Sequence, residues 1–174
     1  MRRDPKNTRL TGLTADYVRE ILNYDPETGV FRWAKQIARC AVIGKITGRP
    51  CSSGGLQIMI GYKQYMSHRL AWLYMTGKWP LDEIDHINGD PSDNRFCNLR
   101  EATGGQNKLN KGKYKNNKSG YKGVHFHKQS GKWRARIWFG RKSVSLGLFD
   151  TPEEASLAYI AASADYHGEF ARVV

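Results

Sequence analysis

The segment that most constrains the fold runs from Ser67 to Asn110, and at its centre is the run Ile84-Asp85-His86-Ile87. The apolar ends of this run predict a short strand, and the Asn88-Gly89 pair that follows is a strong signal for a two-residue turn. A carboxylate and an imidazole therefore lie next to each other beside a sharp turn. This combination favours a chemically active site over an ordinary loop.

Two carboxamides follow the predicted strand: Asn98, and Asn107 in a short helix that we expect to begin after the capping residue Thr103. Asp85 and Asn107 offer oxygen ligands of the kind that Mg²⁺ prefers, whereas zinc is a poor fit because Cys97 lies in no Cys-x-x-Cys pair. A neutral imidazole fixed on a strand can act as a general base. Asn98 could hydrogen-bond the His86 ring through its carboxamide or its backbone carbonyl.

Each of these residues, taken alone, has an ordinary explanation. The acidic and amide residues between 85 and 94 suit a turn, and a histidine is a common polar residue in a strand. Strand alternation also places Asp85 on the side opposite His86, so curvature or the adjacent turn must bring it to an ion. The ordered spacing of the set favours the functional interpretation.

The distribution of charge points to a polyanionic partner. The net charge is +12, and residues 108–143 carry twelve basic side chains and no acidic one. Residues 81–107 form an acidic island of six acidic and two basic side chains around Asp85, which could recruit a cation. A solvated charged surface is the alternative. The basic stretch 108–120 predicts a linker able to lie along phosphates, with Lys113 among its candidate contacts.

The remaining elements are predicted from local patterns. Thr14 can cap a helix to about Asn23, residues 30–33 form a strand, 34–55 have no secure assignment, and 56–67 form a hairpin. His68 opens a helix that stops at Gly77. His68 and Arg69 are both candidates for phosphate contact; for His68 the stronger alternative is support of the fold, and for Arg69 it is phosphate contact.

From Tyr121 the pattern changes to three strands, residues 123–127, 132–139 and 143–148, followed by a helix to about Tyr166. Thr151-Pro152-Glu153-Glu154 predicts a capping box with proline at the first helical position. Alternation in the second strand puts Arg134, Arg136 and Trp138 on one face. These elements predict a second domain, a three-stranded antiparallel sheet with one helix.

The central segment resembles the HNH homing endonucleases of phages and introns. The likeness rests on five short motifs: His68 to Trp72, Ile84 to Asp90, Asp93 to Arg95, Asn98 to Arg100 and Gln106-Asn107. The resemblance implies a ββα-metal fold with one divalent ion per site. By the family's motif, Asp85 and Asn107 match the metal ligands, His86 the general base and Asn98 the residue that orients it. Asn107 stands where many relatives have histidine. Residues 17–33 resemble the leader found before this module.

The C-terminal part resembles the apetala-type DNA-binding domain of plant ethylene-response factors, through Tyr121 to Val124, Gly131 to Trp133, Leu146 to Phe149 and Ala155 to Ala162. That family lays its sheet in the DNA major groove. Matching positions, together with Arg134 by alternation, predict a DNA-contacting set of Lys122, His125, His127, Arg134, Arg136 and Trp138. Ser145 and Arg136 depart from the plant pattern, so the target sequence cannot be carried over.

Together these patterns predict an α+β protein with an HNH domain at 1–107, a basic linker at 108–120 and a DNA-binding domain at 121–174. The expected function is cleavage of double-stranded DNA with Mg²⁺, for which Mn²⁺ can substitute, in a phage homing-type role. The alternative is a non-catalytic DNA-binding regulator; an RNA-directed nuclease is a weaker one. No apolar run approaches the roughly 18 residues of a membrane span, and three widely spaced cysteines fit reduced thiols. We expect a cytoplasmic protein that acts as a monomer, with a dimer as the alternative.

Overall fold

A computed structural model describes residues 12–113, 116–140 and 142–172 of the chain. The first eleven residues of the predicted nuclease domain, two residues of the predicted linker, Arg141 and the last two residues lie outside the described part. The chain divides into two compact units between Glu101 and Ala102.

The first unit begins with helix α1 (Ala15–Ile21) and the antiparallel strands β1 (Leu22–Asp25) and β2 (Val30–Trp33). The hydroxyl of Thr14 caps α1 as predicted, by accepting from the backbone N–H of Tyr17 at 3.2 Å. The predicted helix is two residues too long, because the chain is already extended at Leu22. Leu22 and Tyr24 alternate inward with outward-facing neighbours, which suits a strand.

The middle of the unit contains short strands and one longer helix. Strand β3 (Ile46–Thr47) extends the β1–β2 sheet, while β4 (Arg49–Pro50), β5 (Leu56–Ile60) and β6 (Lys63–Met66) form a second antiparallel sheet. Helix α2 (Ser67–Thr76) follows β6 and ends at Gly77, which has the left-handed conformation expected of a glycine C-cap. The predicted hairpin and helix are therefore confirmed.

Strand β7 (Glu83–His86) pairs with β8 (Leu99–Ala102), and a 3₁₀ turn (Phe96–Asn98) precedes β8. A turn at Asn88-Gly89 is present, since the Gly89 N–H donates to the His86 carbonyl at 2.7 Å. The turn does not lead directly into a partner strand, because β8 begins only at Leu99. A loop with several short-range hydrogen bonds of its own lies between the two strands.

One apolar core holds the first unit together. Its largest fully buried members come from five elements: Ile21, Leu22, Phe31, Ile58, Leu70 and Leu73. Ile84 of β7 also joins this core. The strand that carries Asp85 and His86 is therefore anchored by burial of its own apolar residue.

The second unit contains helix α3 (Gly104–Leu109), strands β9 (Val124–His127), β10 (Lys132–Phe139) and β11 (Lys142–Phe149), and helix α4 (Pro152–His167), followed by a 3₁₀ turn (Gly168–Phe170). The sheet is antiparallel with β10 in the centre. The predicted capping box at Thr151–Glu154 is present, and Thr103, predicted as an N-cap, also forms a capping box with Gln106. The α+β class and the sheet-plus-helix second domain are confirmed.

Close packing of α4 on the sheet depends on Gly123. A Cβ atom at this position would lie within 2.3 Å of the Tyr159 ring and 2.7 Å from the Arg136 carbonyl oxygen. Ala135 and Ala155 are completely buried at the same interface. Small residues thus allow helix and sheet to approach closely. Among the described residues, no helix is both long and apolar enough to cross a membrane.

Candidate active site and nucleic-acid interface

Asp85 and His86 lie at the end of β7 and are both buried, with 4% and 8% of their surface exposed. Buried ionisable groups are rare unless they are paired or functional. The two residues are adjacent to Ile84, which packs in the core, so their backbone is fixed by the core. The strand therefore supplies the rigid support that the sequence suggested for this pair.

The His86 ring has a defined partner on its Nε2 side. Nε2 lies 3.3 Å from the carboxamide oxygen of Asn94, and the Asn94 amide nitrogen donates to the Ser92 carbonyl at 3.2 Å. This second bond fixes which way the Asn94 amide faces. An acceptor opposite Nε2 favours the tautomer with hydrogen on Nε2, which leaves Nδ1 as the basic nitrogen.

Asn94 is itself held firmly by the leader of the unit. It is 1% exposed, and its backbone carbonyl accepts a 2.7 Å hydrogen bond from the buried Tyr24 hydroxyl. Burial raises the pKa of Tyr24, so the phenol stays protonated and donates. The N–H of Phe96 also donates to the Pro26 carbonyl at 3.0 Å. The β1–β2 hairpin thus braces the loop whose Asn94 contacts the His86 ring.

Asn98 makes its hydrogen bonds with the loop between β7 and β8. Its side-chain oxygen accepts from the Asn88 N–H at 2.9 Å, its amide donates to the Asn88 side chain and the Asp93 carbonyl, and its backbone carbonyl accepts from Ile87. Asn98 therefore fixes the shape of the turn after His86. The predicted direct contact with the His86 ring stays a prediction.

The Asp85 carboxylate pairs with Arg100, which lies on β8. The Nε and Nη2 atoms of Arg100 both donate to Oδ2 of Asp85, at 2.9 and 2.8 Å. Both side chains are largely buried. A buried carboxylate requires a compensating cation, and Arg100 supplies one.

The other carboxylates of the loop serve local structure. Both carboxylate oxygens of Asp93 accept hydrogen bonds from the guanidinium of Arg95. These bonds are the main reason that the Asp93 pKa falls to about 2. Asp90 accepts from the hydroxyl and backbone N–H of Ser92, and these bonds lower its pKa. The interpretation of these two residues as turn residues agrees with their contacts.

His68 lies on α2 with its ring edge-on to that of His86, the two ring centres being 5.0 Å apart. Its Nδ1 atom is buried and has no hydrogen-bond partner among the described residues. Burial, together with the neighbouring His86 and Arg69, lowers the His68 pKa from 6.5 to about 3, so the ring is neutral. These surroundings support a packing role beside the candidate base.

Asn107 lies on α3, the helix that belongs to the second unit, and its backbone N–H donates to the Thr103 carbonyl. Across the described residues, no three histidine, cysteine, aspartate or glutamate side chains are grouped to hold a metal ion. A site built around Asp85 therefore needs an amide oxygen, water or phosphate as further ligands. Carboxylate and amide oxygens are suitable donors for a hard divalent ion.

The β9–β10 pair carries most of the predicted DNA-contacting residues. The register places His125 opposite Arg134, so the two residues share a face of the sheet. Further along β10, Arg136 and Trp138 are exposed, and Trp138 shows 56% of its surface. Burial, the nearby cations Arg136 and Arg134, and the neighbouring His127 lower the His125 pKa. This face is a cationic surface with an accessible aromatic ring.

The other predicted contact residues have partners within the protein. The Lys122 ammonium donates to the backbone carbonyls of Leu109 and Arg172, at 2.6 and 2.9 Å. Lys113 donates to the Gly120 carbonyl, His127 lies 2.9 Å from the Ser130 hydroxyl, and Arg69 donates to the Asp82 carbonyl. Burial lowers the Lys122 pKa to about 8. The partly buried ammonium thus links two backbone segments through its hydrogen bonds.

Two residues of the site were not assigned a role from the sequence. Asn94 was attributed to a turn, and Arg100 was quoted only as part of a motif. A sequence signal was present for Arg100, because it is one of only two basic residues in the acidic island and a buried arginine needs a carboxylate partner. For Asn94 no local pattern indicates a contact with His86, because the contact is made across a loop.

Comparison with protein families finds two matches. A model of an HNH endonuclease family matches residues 65–109, and a model of the AP2 domain matches residues 119–169. The first match contains Asp85, His86, Asn98 and Asn107, and the second contains β9 to α4. No solved structure matches the chain significantly.

Relatives are found for both parts. Protein 3.8 of Escherichia phage T7 is 32% identical over 112 residues, which are 64% of this chain and 92% of that protein. Two Arabidopsis thaliana proteins, the AP2-like ethylene-responsive transcription factor At1g16060 and the ethylene-responsive transcription factor WRI1, are each 46% identical over 52 residues. That match spans 29% of this chain but only 15% and 12% of the plant proteins. The chain belongs to the HNH endonuclease family, in a form whose HNH module is followed by an AP2 DNA-binding domain.

Proposed function

We propose that this protein is a metal-dependent endonuclease that hydrolyses phosphodiester bonds in double-stranded DNA, in a phage homing-type role. The observation that carries the proposal is the buried pair on β7, in which His86 has an acceptor fixed opposite Nε2 and adjoins a buried carboxylate. The membership in the HNH family and the AP2 domain both point to DNA as the partner.

In the proposed reaction, Nδ1 of His86 takes a proton from the attacking water. Asn94 holds hydrogen on Nε2 and thereby keeps Nδ1 available as the base. The ring gains positive charge as it accepts the proton, and the Asn94 oxygen stabilises the Nε2–H that remains. Asn98 supports this geometry by fixing the turn that follows the strand.

Asp85 and Asn107 are the proposed ligands of a Mg²⁺ ion, with Mn²⁺ as a substitute. When bound, the ion would neutralise charge on the scissile phosphate and on the leaving oxygen. Arg100 holds the Asp85 carboxylate through Oδ2 and fixes its orientation. On β9 and β10, we propose His125, His127, Arg134, Arg136 and Trp138 as DNA contacts, with Lys113 and Arg69 on phosphates. His68 and Lys122 support the fold within this proposal.

Cleavage of a supercoiled plasmid tests the proposal, with nicked and linear products resolved separately. We expect the wild type to convert the plasmid in Mg²⁺ and to leave it intact in EDTA. The Asp85→Asn variant should be strongly impaired, whereas Asp82→Asn, a change of an exposed aspartate three residues away, should cut normally. If the wild type binds duplex DNA but leaves it uncut with Mg²⁺ and with Mn²⁺, the protein is a non-catalytic DNA-binding regulator.

A further inference from the structure

A cleft with a volume of about 270 Å³ lies within the second unit, and neither family match assigns it a role. Its walls come from the segment after α3, from β9 and β10, and from α4. The residues that matter for its chemistry are Lys108, Lys111, Lys113, His125, Arg136 and Trp138. The first half of the predicted linker therefore forms one wall of this cleft, together with the sheet and α4.

The lining contains several cations and no acidic side chain. Lys108, Lys111 and Arg136 are exposed at its walls, and none of them forms an ion pair with a described residue. Such a group of like charges has a mutual repulsion that an anion would relieve. The cleft is accordingly suited to a negatively charged ligand.

The walls of the cleft are fixed by backbone contacts. Lys122 ties the end of α3 to the C-terminal segment through the Leu109 and Arg172 carbonyls, and Lys113 holds the Gly120 carbonyl. These bonds fix residues at both ends of the 108–113 segment. A prearranged cleft loses less conformational entropy on binding than a flexible tether would.

The backbone along this edge of β10 is already hydrogen-bonded. Strand β9 begins at Val124, opposite Ala135, and beyond this pair the Arg136 N–H donates to the Gly123 carbonyl at 2.9 Å. The Trp138 carbonyl accepts from Nε2 of His167 at 2.8 Å. A peptide strand that paired with this edge would have to break these bonds. The ligand must therefore be recognised by side chains.

We propose that this cleft binds backbone phosphates of double-stranded DNA, with Lys108, Lys111 and Arg136 as the cations that meet them and Trp138 at the rim. The linker then acts as part of the DNA-binding surface, because its first half supplies two of the contacts, Lys108 and Lys111. This inference rests on the proposed function of the C-terminal sheet as a DNA-binding surface and adds a phosphate site to it.

The salt dependence of DNA affinity tests the inference. The double variant Lys108→Gln/Lys111→Gln in the full chain is compared with Lys35→Gln/Lys132→Gln, which removes the same charge. Both control lysines already pair with carboxylates, Glu20 and Asp150. Each lost phosphate contact lowers the steepness of log K against log salt by about 1. We expect a decrease of about 2 for the cleft variant and little change for the control.

A slope for the cleft variant that equals that of the wild type, or a decrease that the control shares, would overturn the inference. If the wild type still binds and cuts duplex DNA in that case, the proposed function stands and only the phosphate site fails. If the wild type binds no DNA, the proposed function fails first.

A second measurement separates DNA from free phosphate as the source of the anion. The indole N–H resonance of Trp138 is followed while a short duplex or inorganic phosphate is added at equal phosphorus concentration. A shift with the duplex that phosphate does not reproduce, and that the Lys108→Gln/Lys111→Gln variant loses, supports the inference. An equal shift with inorganic phosphate alone overturns the assignment to DNA.

Discussion

At the scale of single residues, the site depends on how the neighbours of His86 are held. Asn94 contacts the ring directly, Tyr24 holds Asn94 from the leader, and Arg100 compensates the adjacent carboxylate. These contacts come from three different parts of the first unit. A base whose ring is fixed in one tautomer needs such contacts, because imidazole can otherwise carry its hydrogen on either nitrogen.

Replacing Asn94 with leucine should slow cleavage while leaving DNA affinity unchanged. Leucine has a similar size but no acceptor for Nε2–H of His86. Loss of a partner that orients a functional histidine typically costs about 10–100-fold in activity. Single-turnover cleavage with saturating protein measures the effect, and the thermal midpoint shows whether the buried substitution has also weakened the fold. If the Asn94→Leu variant cleaved DNA at the wild-type rate, the His86 ring would need no hydrogen-bond partner at position 94.

The lowered pKa of His68 should make the stability of the fold depend on pH. Its folded pKa of about 3 lies below the ordinary 6.5, so between these values the unfolded chain binds more protons than the folded one. Stability should therefore decrease as the pH falls below 6.5, by at most about 1.4 kcal/mol for each pH unit from this group. Urea unfolding between pH 7 and 5 measures the slope. The His68→Phe variant should have a shallower slope, and an identical slope would exclude His68 as the cause.

Sequence patterns identified the chemically distinctive residues but not all of their neighbours. Asp85 and His86 stand out because a carboxylate and an imidazole adjoin a turn. The role of Asn94 depends on how the loop between β7 and β8 folds back, which no local periodicity indicates. Arg100 meets Asp85 only because β8 pairs with β7, and the short run Leu99-Arg100-Glu101-Ala102 lacks the β-branched and aromatic residues that predict a strand.

At the scale of elements, the β1–β2 hairpin of the leader packs directly against the loop after β7. The turn between β1 and β2 meets the loop so closely that a Cβ atom on Gly29 would lie 2.5 Å from the Asn94 carbonyl carbon and the Arg95 nitrogen. Gly29 also has a positive φ of 71°. The hairpin therefore supports the candidate base as well as the core.

Gly29→Ala should destabilise the first unit more than Gly44→Ala does. Both glycines have positive φ, so both variants incur a backbone cost of about 1 kcal/mol. Only at Gly29 does the added methyl group meet backbone atoms that cannot move aside, since Gly44 has open space around it. Chemical denaturation should give a difference of about 2 kcal/mol or more between the variants. Equal losses would show that the hairpin is not in close contact with the loop.

Local signals predicted elements well where they were chemically specific. Thr14, Thr103 and Thr151 all cap the helices assigned to them, because capping depends on residues within one turn. Strand β1 was not predicted, since Leu22 and Tyr24 fit the end of an apolar helix face as well as a strand. Residues 34–55 had no assignment, and their described strands are only two residues long.

At the scale of the whole molecule, charge and chemistry are divided along the chain. The acidic island surrounds Asp85 and His86, while residues 108–143, with their twelve basic side chains, cover the predicted linker and most of the predicted sheet. The order of an HNH module and an AP2 domain was predicted from motifs and is confirmed. The domain boundary at 107 stays a prediction; the compact units divide after Glu101, so that α3 with Asn107 belongs to the second.

The central claim is that His86 is the general base for DNA cleavage, and the rate of a single turnover in Mg²⁺ tests it most directly. We predict that His86→Ala binds duplex DNA as tightly as the wild type but cuts it about 10²–10⁴-fold more slowly. Added imidazole should restore part of the lost rate. Cleavage by His86→Ala at the wild-type rate would contradict the account.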